Sequence, residues 1–298
     1  MARRRRGIPI HGWLNIDKPA GLSSAAVVGA VKRITNAQKA GHAGTLDPFA
    51  TGVLPIALGE ATKTVPYIVD DIKEYGFTAR WGEARNTDDI DGEITETSAV
   101  RPTEQDLTQV LPKFTGLITQ IPPIFSAIKI DGKRAYKLAR DGAEITMPSR
   151  EVTIHSMSLE ETQDTDHSRF HVCCSKGSYI RALARDIALE VGTFAHLSQL
   201  RRTKVGPFLA ENAISLDKLE KLWQCPAEFE DLLPLTTALD DIPAVAISET
   251  QADRVRHGND VAVPNTADGI VCAMNGDIPL SISKVENGIL YPVRVFNI

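Results

Sequence analysis

Residues 41–59, GHAGTLDPFATGVLPIALG, constrain this chain more than any other stretch. Gly41, Gly44 and Gly52 punctuate it, and an apolar run follows from Val53. Glycine takes positive φ without a Cβ penalty and lets a backbone or a ligand come close. One acidic side chain, Asp47, sits in this loop, after His42 and directly before Pro48. The proline biases Asp47 towards extended backbone. Such a loop can hold a carboxylate rigidly at a cleft. Asp47 can equally be the N-cap of a helix with Pro48 at its first position. The two readings are compatible, and spacing alone does not separate them.

A chain of 298 residues holds one large domain, or one large and one small. Hydrophobic residues at 43% and charged residues at 24% suit a soluble globular protein with a substantial core. Cys173, Cys174, Cys225 and Cys272 show no metal-ligand or redox spacing. Adjacent Cys173 and Cys174 lie in a strand-like run and read as core residues of a protein in a reducing cytoplasm, without structural zinc. No run reaches the roughly 18–20 apolar residues of a membrane span. Arg3 to Arg6 are not followed by an apolar signal-peptide core. The expectation is a cytoplasmic protein with no membrane partner.

The net charge of −5 argues against a nucleic-acid partner only if it is spread evenly. It is not. Residues 124–150 carry six basic groups, Lys129, Lys133, Arg134, Lys137, Arg140 and Arg150, against three acids. Residues 169–206 carry seven against two, and residues 207–250 two against nine. Positive charge is gathered in two segments and negative charge in a third.

Residues 8–16 read as an entering strand. Ser23 or Ser24 can cap a helix over 25–35, with Val27, Val31 and Ile34 at helical spacing. In 74–81, Tyr75, Phe77, Ala79 and Trp81 alternate with polar residues, as in a half-buried strand. Thr103 with Asp106 marks a helix start, ending near Pro112. Residues 169–191 read as strand, turn at Gly177 and helix, which places Arg181 near the helix N-terminus. A cation there opposes the helix dipole by about 0.3–1 kcal/mol, a cost that an anionic partner would relieve. The acidic loop Asp88–Gly92 puts Ser98 where a calcium loop needs glutamate, so an EF-hand is rejected. Gly59–Thr64 lacks the glycine directly before lysine that a P-loop requires. From 242 onward, glycines break the chain into short strand-like pieces, Val261–Val263, Ile270–Ala273 and Val293–Phe296, which suggests a small β-barrel appendage.

The central string closely resembles the catalytic motif of the TruB family of tRNA pseudouridine synthases, G-H-[TS]-G-x-L-D-P-x-A-x-G-x-L. Ala43 stands where the family usually has a hydroxyl residue. Four more segments resemble family motifs in order. They are Asn15–Gly21 (NIDKPAG), Pro122–Ala139 (PPIFSAIKIDGKRAYKLA), Cys174–Ala184 (CSKGSYIRALA) and His196–Phe208 (HLSQLRRTKVGPF). Residues 242–298 resemble, more weakly, the PUA-like C-terminal domain of bacterial members.

The resemblance implies an α+β pseudouridine-synthase fold, with a mixed, mainly antiparallel central sheet flanked by helices and a small β-rich PUA-like C-terminal domain. It implies a catalytic domain over 1–241, with 124–150 as an RNA-clamping segment, and the second domain over 242–298. Asp47 would be the catalytic aspartate, acting by covalent attack or by forming a glycal. Tyr75 would stack on the flipped uracil, and Arg181 would pair with Asp47. Tyr179 would contact the nucleotide and Leu200 would form an apolar pocket wall. His42 would fill space left by flipped bases, Lys18 would support the pocket loop, and Lys129 would bind substrate from the basic segment. Breaking a glycosidic bond, turning the base and rejoining it through C5 needs neither cofactor nor metal. The implied substrate is the T-loop uridine (position 55) of tRNA, extruded from its stack before reaction. The implied enzyme is an isomerase that works as a monomer without an obligatory protein partner. Two rivals are a guide-RNA-dependent relative that modifies ribosomal RNA, and an RNA-folding chaperone without essential chemistry.

Overall fold

A computed structural model of the protein describes residues 7–70, 72–224 and 229–298; Arg3–Arg6 and Cys225 lie outside the described residues. In chain order the strands are β1 (Gly12–Lys18), β2 (Ala40–His42), β3 (Thr51–Leu58), β4 (Lys73–Trp81), β5 (Glu83–Arg85), β6 (Ile94–Thr97), β7 (Gly116–Gln120), β8 (Lys129–Ile130), β9 (Lys133–Arg134), β10 (Arg150–Thr162), β11 (His167–Cys174), β12 (Ala195–Val205), β13 (Phe208–Leu209), β14 (Leu232–Leu233), β15 (Ala244–Ala246), β16 (Val261–Ala262), β17 (Gly269–Asn275), β18 (Ile278–Glu286) and β19 (Ile289–Val295). The helices are α1 (Ser24–Thr35), α2 (Val65–Val69), α3 (Glu104–Val110), α4 (Ala135–Arg140), α5 (Ile180–Glu190), α6 (Leu216–Leu222) and α7 (Glu249–Arg256).

The larger sheet runs β14-β1-β3-β12-β4-β11-β10-β7, with β2 on β3 and β13 on β12. β3 and β12 are parallel; the chain's other pairings in this sheet are antiparallel. This is the mixed, mainly antiparallel sheet expected of an α+β fold. Its centre follows from the alternation in β4. Tyr75, Phe77, Ala79 and Trp81 are buried on one face, where Phe77 stacks on Phe170 at 5.0 Å and Trp81 meets Phe170 edge-on at 6.3 Å. α5 lays Leu183 and Ile187 on the same core. Each such side chain contributes roughly 1.5–3 kcal/mol on burial.

Local signals fix the flanking helices. Ser23 caps α1, accepting from the Ala26 N–H at 3.1 Å, and Val27 and Val31 face the core. Thr103 and Asp106 form a reciprocal capping box on α3, which passes into a tighter turn over 111–114 at Pro112. β1 begins at Gly12 rather than at residue 8. Ile8 makes only an isolated bridge to Ala37, and the His11 ring turns aside to accept from the Glu60 N–H at 3.1 Å. Cys174 and Cys272 are buried free thiols, each pushed up to about 11 by burial.

The second sheet runs β15-β17-β18-β19-β16, an open order that makes a curled half-barrel rather than a closed barrel. β18 and α7 were not legible as elements. The α7 sequence is polar apart from Ala252 and Val255, and its ends are set by a Ser248–Gln251 capping box. Cys272, Ile282 and Phe296 of this sheet region share an apolar cluster with Trp13, Val53 and Phe208. Among the described residues no helix is long and apolar enough to cross a membrane.

Candidate active site

Asp47 lies in the loop joining β2 to β3, and no helix starts there. The N-cap reading is therefore corrected. Only Pro48, Phe49 and Ala50 separate Asp47 from β3, and strand pairing with β1 begins at Gly52. The chain instead makes a tight turn, closed by the Ala50 N–H on the Asp47 carbonyl at 3.2 Å. Gly52, at φ +100°, faces the backbone of Arg202; a Cβ there would come within 2.1 Å of the Arg202 carbonyl oxygen. Gly41 sits in β2 with room for a side chain and has no such role.

The loop is fastened from beneath. Lys18 is fully buried, and its ammonium donates to the carbonyls of Pro19 (2.9 Å), Leu22 (2.6 Å) and Pro48 (3.0 Å). Three N–H donors meet three carbonyls. Burial lowers the Lys18 pKa to about 8, against the opposing attraction of Asp47. Ser24 Oγ donates to the Leu46 carbonyl (3.0 Å) and accepts from the Leu46 N–H (2.8 Å). Residues on both sides of Asp47 are thus held by neighbouring segments.

Opposite the loop stands Arg181, in the first turn of α5 with its side chain 3% exposed. Its Nε is 2.9 Å from Asp47 Oδ2, without the alignment of a hydrogen bond, so this contact is ionic. Nη1 donates to the Thr87 carbonyl (2.8 Å) and Nη2 to the Phe125 carbonyl (3.0 Å); Asp89 Oδ2 lies 3.4 Å from Nη1. Burial raises the Asp89 pKa, against a hydrogen bond from Thr87 and the charge of Arg181. Arg202 is also buried. Its Nε donates to the Val53 carbonyl (2.8 Å) and Nη2 to the Gly44 carbonyl (3.1 Å), and its side chain also hydrogen-bonds Tyr75. Burial raises the Tyr75 pKa, so the phenol is neutral at ordinary pH.

Asp47 lines two adjoining cavities. The inner one, of about 220 Å³, is bounded by Tyr75, Tyr179, Leu200, Arg202 and Arg150. The outer one, of about 580 Å³, is bounded by His42, Asp89, Arg134 and Tyr136. Asp47, Ser126 and Arg181 line both. Burial lowers the His42 pKa, with help from Arg202, so its ring is neutral near pH 7. A further groove of about 390 Å³, bounded by Arg169 and Arg201, holds arginines already paired with Glu160 and Asp17.

The profile of the TruB family pseudouridylate synthase N-terminal domain matches residues 32–180, and that of the tRNA pseudouridylate synthase B C-terminal domain matches residues 181–241. The chain belongs to the TruB family. It is a pseudouridine synthase, an isomerase. It is 49% identical to the tRNA pseudouridine synthase B of Bradyrhizobium diazoefficiens, over 99% of this chain and 88% of that protein. It is 48% identical to that of Caulobacter vibrioides, over the whole of both. Among solved structures it resembles a chain of an H/ACA RNP bound to a substrate RNA containing 2′-deoxyuridine, with TM-score 0.75 and 26% identity over 100% of this chain and 92% of that one. A chain of a Cbf5-Nop10-Gar1 complex gives 0.74 and 29%, over 96% and 84%.

Of the residues singled out from the sequence, Asp47, Tyr75, Arg181, Tyr179, Leu200 and His42 line these TruB-fold cavities. Lys18 lines neither and lies under the loop. Lys129 lies on the exposed β8–β9 hairpin, opposite Arg134, and lines neither cavity. Sequence reasoning missed Arg202, Asp89, Ser126 and Arg150 as site residues. Arg202 had a usable signal: it is two residues from Leu200 in a strand and so shares its face.

Proposed function

We propose that this enzyme isomerises the T-loop uridine (position 55) of tRNA to pseudouridine, with Asp47 as the catalytic carboxylate and without a cofactor. The observation that carries the reading is the placement of Asp47. One carboxylate, a third exposed, lines two adjoining cavities, with a buried arginine 2.9 Å behind it and its loop fastened on both sides. A rigid anion of this kind meets the sugar or base of an extruded nucleotide without reorganising. Tyr75 and Leu200 supply the apolar walls on which a uracil ring rests. The neutral His42 ring faces the outer cavity, where displaced RNA would lie.

The relatives named tRNA pseudouridine synthase B are 46–49% identical over nearly the full chain, against 26–29% for the ribonucleoprotein structures. That favours a stand-alone enzyme acting on tRNA in the cytoplasm over a guide-dependent one. Residues 1–241 form the catalytic domain, and 242–298 a PUA-like domain that adds tRNA affinity. Residues 124–150, with exposed Lys129, Lys133 and Arg134, close over the RNA loop. Binding should weaken with salt through counterion release, and neutralising those three residues should lower the slope. Tritium release from C5-labelled uridine in a bare T-stem-loop tests the whole reading. No release from that RNA would refute it.

A further inference from the structure

The inner cavity carries more positive charge than Asp47 requires. Lys73, Arg150, Lys176, Arg181 and Arg202 line it, against the single carboxylate. Most of these cations are already engaged. Arg181 faces Asp47 and Asp89, Lys176 pairs with Asp70 at 2.8 Å, Arg202 is bonded to carbonyls and Lys73 donates to the Val69 carbonyl at 2.9 Å. Arg150 differs. Among the described residues no carboxylate lies within 4 Å of it, and its buried Nη2 has no hydrogen-bond partner. Its guanidinium is nonetheless fixed in place. It lies over the Tyr179 ring, 4.7 Å from the centroid, and a Cβ on Gly177 would meet its Nη1 at 3.1 Å. A planar cation lying over an aromatic face, with one donor unpaired, is suited to an oxyanion.

Two further groups face the same space. The consecutive residues Lys176 to Arg181 line the cavity, so the N-terminus of α5 opens onto it. The Ncap residue of that eleven-residue helix, Tyr179, makes no side-chain cap; Gln120 Oε1 accepts from the Tyr179 N–H at 3.0 Å, outside the first helical turn. Its free amides and the positive end of its dipole favour an anion there. Ser126 is 4% exposed, and its buried hydroxyl has no partner. Its backbone is locked by its own N–H on the Ile124 carbonyl (2.9 Å) and by its carbonyl accepting from the Tyr136 N–H (3.1 Å). An orphaned buried hydroxyl costs free energy unless a ligand completes it.

We propose that the inner cavity holds, beside the Asp47 carboxylate, an oxyanion subsite formed by Arg150, the Ser126 hydroxyl and the N-terminus of α5, and that its ligand is one phosphodiester of the RNA flanking the extruded uridine. This rests on the isomerase reading above. The subsite would use the charge of the backbone to seat the nucleotide sugar against Asp47. It would act on binding and positioning, not on the chemical step.

The test uses stem-loops with a single neutral methylphosphonate linkage, placed either 5′ or 3′ of the reactive uridine. Turnover and binding are both measured, with wild type, Arg150→Gln and Arg150→Lys. With wild type, one of the two neutral linkages should weaken binding by about tenfold or more, the scale of a lost charge-assisted hydrogen bond. With Arg150→Gln, the charged and neutral RNAs should bind alike, near the wild-type value for the neutral one. Arg150→Lys should recover part of the discrimination, which a merely structural role for Arg150 would not do. Losses that simply multiply, with Arg150→Gln still discriminating as wild type does, would overturn the subsite while leaving the isomerase intact. Equal binding of all three RNAs by wild type would overturn it too. An unmodified stem-loop that binds but is never turned over would instead count against the isomerase reading, and the binding data would still decide the subsite.

Discussion

The cleft around Asp47 and the C-terminal half-barrel are built on opposite terms. In the cleft, Lys18, Arg181 and Arg202 are almost wholly buried, each donating to backbone carbonyls, with Arg181 also facing Asp47 and Arg202 also bonded to Tyr75. In the half-barrel the buried side chains are apolar, apart from Ser281 and Ser283, whose hydroxyls satisfy each other at 2.7 Å. Burying a charge is costly even when it is paired, and removing one partner leaves the other exposed to the full penalty. The cleft therefore trades stability for a fixed electrostatic field, and the half-barrel does not. Substitutions of similar size should have very different consequences in the two regions.

The largest difference is expected at Arg181. Arg181→Met should lower kcat by about a hundred- to a thousandfold, the scale of losing a preorganised electrostatic contact, while RNA affinity changes little. Arg181→Lys keeps the charge without the planar fork and should fall between. Single-turnover rates with a T-stem-loop decide it; a Met variant with wild-type kcat would erase the distinction between the regions. Stability should differ next. Arg202→Met leaves the Val53 and Gly44 carbonyls without their donor and should cost on the order of 3 kcal/mol. Replacing Ser281 and Ser283 together by Ala removes both partners at once and should stay within about 1 kcal/mol of wild type. Urea unfolding of both variants makes the comparison.

Lys18 gives the contrast a pH signature. Its folded pKa of about 8 is below its ordinary value of 10.5. Between those values the unfolded chain binds more protons, so stability rises with pH; the penalty is fully present below about pH 8 and lifts towards 10.5. Lys18→Met should remove that rise, on the order of 3 kcal/mol across the window. An unchanged slope in unfolding free energy between pH 7.5 and 10.5 would show that Lys18 is not the buried base. The smallest effect on catalysis should come from ending the chain at Asp241. The cavities contain no residue beyond that point, so turnover of the stem-loop should persist. The melting temperature should fall, because Trp13 and Phe208 lose their contacts with Cys272, Ile282 and Phe296. Whole-tRNA binding should weaken. A folded truncation unable to process the stem-loop at saturation would contradict this division.

The same contrast explains what could be read in the chain. α1, α3, β4 and the strand-turn-helix ending in α5 rest on local signals, namely caps, alternation and a glycine turn, and they were legible. The Asp47 loop was half legible. Its N-cap appearance comes from the Asp-Pro pair, but pairing of β3 with β1 prevails over that local preference. Arg202, Asp89 and Ser126 were missed because their importance is tertiary. The strand spacing from Leu200 marks the face Arg202 lies on, but nothing local marks its contact with Gly44, 158 residues away. Lys18 was expected to support the pocket loop, and the described fold turns it inward, where it donates to the Pro48 carbonyl. In the half-barrel, α7 and β18 escaped because short polar helices and strands cut by proline give weak periodicity.

The central claim is that Asp47 is the carboxylate that isomerises uridine. Tritium release from C5-labelled uridine in a T-stem-loop, compared for wild type and Asp47→Asn, tests it most directly. The account predicts stoichiometric release with wild type, none above background with the Asn variant, and RNA binding within a few-fold of wild type for both. Substantial release by Asp47→Asn would contradict it, because the variant keeps the shape of the loop and removes only the charge.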